Sequence, residues 1–172
     1  MTSEPLFTAL VVAVGLERVA ELAVSRRNAA WSFARGGVEL GRGHYPFMVA
    51  LHTGLLAGAL VEVWTRGPDA VPPLAWSMLA LVVASQALRW WCITTLGRQW
   101  NTRVIVVPGA ARVTGGPYRL LPHPNYLAVV VEGIALPLVH SAWITAAVFT
   151  ALNALLLAAR VRTEDAALAR LA

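Results

Sequence analysis

Two polar groups in this sequence have side chains suited to chemistry. One is the run HPNY at residues 123–126, which ends the long polar segment 103–126. The other is Arg160 with Glu164, four residues apart and on one face if the preceding helix continues past the membrane surface. Histidine is the side chain tuned to act as a base near neutral pH, and a guanidinium can orient an acidic oxygen and keep it ionised. These residue types indicate a site for charged or acidic small molecules.

The composition is that of a membrane protein. The chain has 172 residues, 58% hydrophobic and 13% charged, whereas soluble domains are about half apolar and a quarter charged. This length suits one compact domain, residues 1–172. The net charge of +5 does not indicate nucleic acid as a partner, because the arginines lie between apolar blocks, as topology signals do. The single cysteine, Cys92, excludes an internal disulfide framework.

Five apolar segments predict an all-α integral membrane protein with about five transmembrane helices. They cover about residues 5–24, 45–64, 72–96, 126–139 and 143–159. The first is close to the ~20 residues that cross the hydrocarbon core of a bilayer, and the basic residues 25–28 are expected to end its helix. Residues 1–96 then hold three spans, and residues 97–172 hold the site region with a C-terminal helical hairpin.

Charged and polar residues within the predicted spans have two interpretations. Arg18 lies within pairing reach of Glu21, and Glu17 shares a helical face with Glu21. These residues either form a structural ion pair or contribute to a site, and their place near the end of the span favours structure. Arg89 is expected to extend to the membrane surface. His52 is interpreted as a hydrogen bonder in helix packing, and no metal site is expected.

Basic residues predict which face of the membrane carries the site. Outside the predicted spans, eleven arginines fall on one side and only Arg66 on the other. Because basic loops stay in the cytoplasm, residues 103–126 and the C-terminus are expected inside and the N-terminus outside. A short hairpin packs the last two spans antiparallel, so the start of one lies beside the end of the other. His123 and Glu164 are therefore predicted to be neighbours despite a separation of 41 residues.

Two stretches of the sequence resemble the isoprenylcysteine carboxyl methyltransferase family. They are NTRVIVVPGAARVTGGPYRLLPHPNYLAVVVE and, after the helical hairpin, RVRTEDAAL. The resemblance covers residues 100–168. The early segment HYPFMVALH and the short length of the chain resemble a small bacterial branch of the family, whose members methylate hydroxyl groups of alkylpyrones or alkylresorcinols. It implies an enzyme of the bacterial inner membrane with a cytosolic cofactor site. The acceptor would be such a lipophilic hydroxyl or a carboxylate such as isoprenylcysteine, and no obligate protein partner is implied. The cofactor would be S-adenosylmethionine on a non-Rossmann fold, which agrees with the lack of a GxGxxG motif after any strand-like run.

The resemblance also implies the residues of the site. Arg160 and Glu164 match catalytic residues, Arg160 on the substrate side and Glu164 as a cofactor ligand. The remaining cofactor contacts match Ala110, Ala111, Arg112, Val113, Tyr118, His123, Pro124, Asn125 and Tyr126. The sequence departs from the family pattern at Pro122, where the family usually has arginine before His-Pro.

Several of these residues also have plainer interpretations. Tyr118 and Tyr126 are of a type that rests at membrane interfaces. His123 before Pro124 could simply cap the incoming helix, with proline at its favoured first position, and Arg162 is interpreted as a topology anchor. Two other functions remain open: an NADPH-dependent membrane reductase of the steroid or sterol type, and a non-enzymatic scaffold or transporter subunit.

Overall fold

A computed structural model describes residues 3–171, most of which lie in five α-helices. The helices are α1 (Ser3–Phe33), α2 (His44–Arg66), α3 (Pro72–Leu96), α4 (Pro124–Leu138) and α5 (Trp143–Leu171). Within the described residues, α2, α3 and α5 are long and apolar enough to cross a membrane, and α4 is a shorter apolar helix. The predicted all-α membrane fold is confirmed.

The ends of α2 and α3 follow local backbone chemistry. α2 ends where Gly67 adopts a left-handed conformation with φ of 55° and donates its N–H to the carbonyl of Val63, a geometry that glycine adopts without steric cost. α3 begins at Pro72 after the extended residue Val71, because proline is pre-organised for the first turn of a helix. The predicted bounds of these two spans agree with the structure to within two residues.

α1 is longer than the sequence predicted. The prediction that the basic residues after Val24 end the first helix is wrong, since α1 continues to Phe33. Ser25 donates a hydrogen bond of 2.7 Å to Oδ1 of Asn101. Asn28 donates one of 2.8 Å to the carbonyl oxygen of Trp100. Because these buried polar side chains find partners in the segment after α3, the last turns of α1 pack there rather than fray.

A two-stranded antiparallel sheet joins the two polar linkers. Strand β1 (Val38–Leu40) follows α1, and strand β2 (Val104–Val106) follows α3. The carboxylate of Glu39 lies 3.2 Å from Nη1 of Arg103 and 3.4 Å from Nε of Arg42. The sequence did not predict this sheet. It holds the start of the polar segment against the linker before α2, so both lie at one end of the helical bundle.

A buried ion network connects three helices. Arg18 of α1 lies 2.6 Å from Glu21 and 2.5 Å from Glu132 of α4. Arg89 of α3 lies 2.7 Å from Glu132 and 3.4 Å from Glu21. The predicted pairing of Arg18 with Glu21 is confirmed. The expectation that Arg89 reaches the membrane surface is wrong, because its side chain is only 5% exposed and its partners lie inside the bundle.

Polar contacts also position α2 against α5. The carboxylate of Glu62 accepts hydrogen bonds from the backbone N–H groups of Ile144 and Thr145, at 3.0 and 2.7 Å. An anion at a helix N-terminus satisfies free N–H groups and complements the helix dipole. His52 donates to the carbonyl of Met48 at 2.8 Å and meets the ring of Phe149 edge-on. His52 therefore packs against α5 through its ring, as predicted, but its hydrogen bond stays within α2 instead of joining two helices.

Gly133 sets the close approach of α4 to α5, which gives a first testable prediction. A Cβ added there would lie 1.9 Å from Cε1 of the buried Phe149 ring. We expect Gly133→Ala to lower the free energy of unfolding by about 1–3 kcal/mol, as overpacking does. Thermal unfolding in detergent measures the change. Gly54→Ala is the matched control, because a Cβ there meets nothing within 4 Å. Equal Tm values for the two variants would contradict the argument.

Candidate functional site

A polar cavity of about 160 Å³ opens at the end of the bundle that carries both linkers. We call it the polar cavity. Among the predicted site residues, those that line it are Ala110, Arg112, Val113, Tyr118, His123, Asn125, Tyr126, Arg160 and Glu164. Two predicted residues do not line it. The carbonyl of Ala111 accepts a hydrogen bond from Gln99 at 3.2 Å, and Pro124 is buried as the first residue of α4.

Glu164 and Tyr126 form the centre of the polar cavity. The hydroxyl of Tyr126 donates to Oε2 of Glu164 and accepts a hydrogen bond of 2.8 Å from Nε of Arg160. The other carboxylate oxygen of Glu164 lies 3.7 Å from Nδ1 of His123, and the rings of His123 and Tyr126 stack with centroids 5.3 Å apart. The prediction that His123 and Glu164 are neighbours is confirmed.

Continuous helices position these side chains. α5 continues beyond the apolar segment, so Arg160 and Glu164 occupy one face of it. α4 begins at Pro124, and His123 precedes it in the N-cap position without a side-chain capping hydrogen bond. The imidazole of His123 instead contacts α5, where its Nε2 lies 3.0 Å from Oδ1 of Asp165. His123 therefore links α4 to α5 rather than capping α4 with its side chain.

A short 3-10 helix, Gly116–Arg119, brings Tyr118 to the polar cavity. Gly116 has φ of 53°, and a Cβ there would lie 2.6 Å from Oγ1 of Thr95. Only glycine fits this turn, because both the backbone conformation and the space exclude a side chain. Burial raises the pKa of the Tyr118 hydroxyl, so Tyr118 is a neutral hydrogen-bonding group at physiological pH.

The charge state of His123 follows from its two carboxylate neighbours. The nearby Glu164 carboxylate raises the pKa of His123 above its ordinary value; burial opposes this, and Asp165 adds to it. A higher pKa favours the protonated form, which donates hydrogen bonds to carboxylates and cannot accept a proton. This geometry favours His123 as a residue that orients Glu164 over His123 as a general base.

Comparison with known proteins now bears on these residues. The sequence profile of the isoprenylcysteine carboxyl methyltransferase family matches residues 78–170, which include all the predicted site residues. The chain belongs to this family. The uncharacterized protein YpbQ of Bacillus subtilis is 35% identical over 165 residues, covering 95% of this chain and 96% of that protein. An uncharacterized protein of Haemophilus influenzae is 24% identical over 155 residues, covering 90% of each chain. No solved structure matches.

Membership in the isoprenylcysteine carboxyl methyltransferase family identifies a membrane methyltransferase. Within residues 3–171, no group of three or more His, Cys, Asp or Glu side chains is placed to hold a metal ion. Pro122, which departs from the family pattern, lines the polar cavity beside His123. The cofactor roles of the predicted residues stay predictions; the structure brings most of them to one cavity.

A second cavity of about 190 Å³ lies among the helices. We call it the apolar cavity, because its exposed surface is mostly apolar although polar side chains also line it; its aliphatic residues are Leu22, Val49, Leu56, Val129, Leu156 and Leu157. It shares five residues with the polar cavity: Trp100, Asn101, Asn125, Tyr126 and Arg160. The two cavities of this methyltransferase therefore meet at one group of polar side chains.

Trp100 and Asn101 are site residues that sequence reasoning missed. Trp100 is buried, and within residues 3–171 its Nε1 has no hydrogen-bond partner. Nδ2 of Asn101 also lacks a partner there. Buried polar atoms are nearly always hydrogen-bonded in native proteins, so these two donors are available to a ligand. The signal in the sequence is the run QWN directly after the third apolar segment.

Proposed function

We propose that this protein is an S-adenosylmethionine-dependent O-methyltransferase of a lipophilic acceptor. The observation that carries the proposal is the meeting of a polar and an apolar cavity at Tyr126 and Arg160. A charged cofactor suits the polar cavity, and an acceptor with an alkyl chain suits the apolar cavity between helices. Transfer of a methyl group requires the two reactants to meet in line, and holding them together supplies much of the catalysis.

The residues of the polar cavity fit S-adenosylmethionine. Glu164 supplies a carboxylate for the cationic or hydroxyl-bearing parts of this cofactor. Asn125 Oδ1 and Trp100 Nε1 line the polar cavity without partners among the described residues, so each can bond a polar ligand. Ala110, Arg112 and Val113 line the polar cavity and can contribute backbone groups, for which side-chain identity matters little. When bound, this cofactor supplies an electrophilic methyl group on a sulfonium.

Arg160 is suited to hold the acceptor. Its guanidinium is buried where the two cavities meet, and its Nε donates to Tyr126. The nitrogen atoms that do not contact Tyr126 can orient an enol, phenol or carboxylate oxygen and stabilise its anion. The anionic oxygen forms a bond to the methyl carbon as the carbon–sulfur bond breaks, and the electron pair of that bond stays on sulfur. The proton of the acceptor oxygen goes to solvent water before transfer, and because Arg160 favours the ionised oxygen, an acidic acceptor needs no strong base.

The site is proposed to face the cytoplasm of a bacterial cell. The polar cavity lies at the end of the bundle that carries β1, β2 and the end of α5. The eleven arginines outside the spans belong to these connecting segments and helix ends, and basic loops stay in the cytoplasm. The N-terminus then lies outside, and the lipid bilayer delivers the acceptor.

Cofactor titration and methyl transfer test this proposal. Purified protein in detergent is titrated with S-adenosylmethionine and with NADPH, and then incubated with labelled methyl donor and a bacterial lipid extract. We expect binding of S-adenosylmethionine and label in a lipid product. Arg160→Leu is expected to lower transfer by about 100-fold or more, as loss of a transition-state donor does, with cofactor affinity largely kept.

Arg162→Leu is the matched control, because Arg162 is exposed on the same helix and lies outside both cavities. It is expected to transfer methyl groups at the wild-type rate. Tight binding of NADPH with none of S-adenosylmethionine would overturn the proposal in favour of a reductase. Binding of neither cofactor would favour a non-enzymatic role.

A further inference from the structure

We propose that Asn153 determines which acceptors this enzyme accepts, by binding a second polar group of the acceptor at the deep end of the apolar cavity. The inference rests on the proposed function and adds a specificity-determining residue to it. Asn153 lies on α5, is 3% exposed and lines the apolar cavity. Within residues 3–171 its Oδ1 has no hydrogen-bond partner.

An unpaired amide in this position is costly. Burial of an unpaired amide costs about 1–3 kcal/mol by protein mutational data, and native proteins rarely leave such groups without a partner. The neighbouring residues of α5 that line the apolar cavity, Leu156 and Leu157, are aliphatic. Leucine in place of Asn153 would continue that surface without the penalty. The amide is therefore placed for a hydrogen bond that a ligand completes.

The wall that α1 and α3 contribute to the apolar cavity also carries polar side chains. Glu21 and Arg89 line the apolar cavity, and each is 4% exposed. Their ion pair of 3.4 Å leaves Oε1 of Glu21 and Nε of Arg89 without a hydrogen bond among the described residues. A hydroxyl group both donates and accepts, so it can satisfy groups of either kind. The apolar cavity therefore presents polar groups from α5 and from the wall formed by α1 and α3.

Asn153 and Arg160 lie on the same face of α5. Asn153 precedes Arg160 by seven residues, which is two turns on the same face and about 10 Å along the helix axis. Both residues line the apolar cavity, and only Arg160 also lines the polar cavity, so Asn153 lies at the end of the apolar cavity farther from the polar one. An acceptor whose reacting oxygen lies at Arg160 and that extends along this face of α5 can therefore present a second oxygen to Asn153. Its alkyl chain leaves between the helices.

The test compares two acceptors that differ in one hydroxyl. A resorcinol and a phenol carrying the same pentadecyl chain are each incubated with labelled S-adenosylmethionine and the full-length protein. We expect wild-type kcat/KM to be at least about 10-fold higher for the resorcinol, because a site built for a hydroxyl rejects the analogue that lacks it. Asn153→Leu and Asn153→Ala are expected to remove this preference while transfer to the phenol stays within about 3-fold. Leu152→Ala, on the half-exposed neighbour outside the apolar cavity, is expected to keep it.

The outcomes separate the inference from the proposed function. Equal wild-type kcat/KM for the two acceptors overturns the inference even if neither Asn153 variant folds. A preference that persists in Asn153→Leu also overturns it, and the proposed methyltransferase activity then stands. No transfer to either acceptor by wild-type protein that binds S-adenosylmethionine contradicts the proposed acceptor class, and with it the inference.

Discussion

Glu164→Gln is expected to lower kcat/KM for methyl transfer by about 100-fold or more, with most of the loss in cofactor binding. The carboxylate of Glu164 accepts from Tyr126 and faces His123 across 3.7 Å. Glutamine keeps the shape but loses the charge. Its NH₂ group would face either the Tyr126 hydroxyl or the His123 ring, and both of these groups are themselves donors. A hydrogen bond to a charged group contributes about 1.5–3 kcal/mol, and about 2.7 kcal/mol corresponds to 100-fold in binding. Titration with S-adenosylmethionine and steady-state kinetics separate binding from turnover.

Asp165→Asn is the matched control for this prediction. Asp165 is the next residue and also contacts His123, with its Oδ1 3.0 Å from Nε2. Its side chain is 59% exposed, however, and it does not line the polar cavity. Exposed ion pairs contribute little, so this variant is expected to stay within about 3-fold of wild type. A similar loss in both variants would show that general acidity near His123, and not Glu164 itself, is what the site needs.

Glu132→Ala is expected to lower the free energy of unfolding by about 3–5 kcal/mol, the cost of breaking a buried ion pair. Glu132 pairs with both Arg18 and Arg89, at 2.5 and 2.7 Å. Its removal leaves Arg89 paired with Glu21 alone, whereas Arg18 keeps Glu21, Glu17 and Gln86. The change is measured as a lower midpoint of unfolding by heat or denaturant in detergent.

Glu17→Gln is the control for the ion network. Glu17 lies 3.5 Å from Arg18 and accepts a hydrogen bond of 2.6 Å from Nε1 of Trp90. Glutamine keeps an acceptor for Trp90, and Arg18 keeps Glu21 and Glu132, so the expected loss of stability is about 1 kcal/mol. The network would not stabilise the bundle as described if Glu132→Ala and Glu17→Gln unfolded at the same midpoint.

Local patterns in the sequence predicted much of this fold. The bounds of α2 and α3 agree with the structure because apolar length, glycine and proline act on the nearest residues. The meeting of His123 and Glu164 also followed from local reasoning, since a short hairpin leaves its two helices no other arrangement. The resemblance seen in residues 100–168 agrees with the family profile, which matches residues 78–170.

Local patterns in the sequence do not predict contacts between distant parts of the chain. Nothing local to Ser25 and Asn28 indicates that α1 continues, because their partners belong to the segment after α3. The pairing of β1 with β2 joins residues more than 60 positions apart. The sequence near Arg89 predicts a side chain that reaches the membrane surface, because it does not show that Glu132 of another helix lies beside it.

Hydropathy, helical spacing and turn chemistry were enough to predict a helical membrane protein in which residues 123–126 lie near Arg160 and Glu164, because all three depend on neighbours along the chain. The meeting of a polar and an apolar cavity at Tyr126 and Arg160 comes from packing between helices, which those patterns do not describe. The same packing leaves Oδ1 of Asn153, which lines the apolar cavity, without a hydrogen-bond partner in residues 3–171. A buried polar group acts according to the partners that packing brings to it, and those partners come from distant parts of the chain.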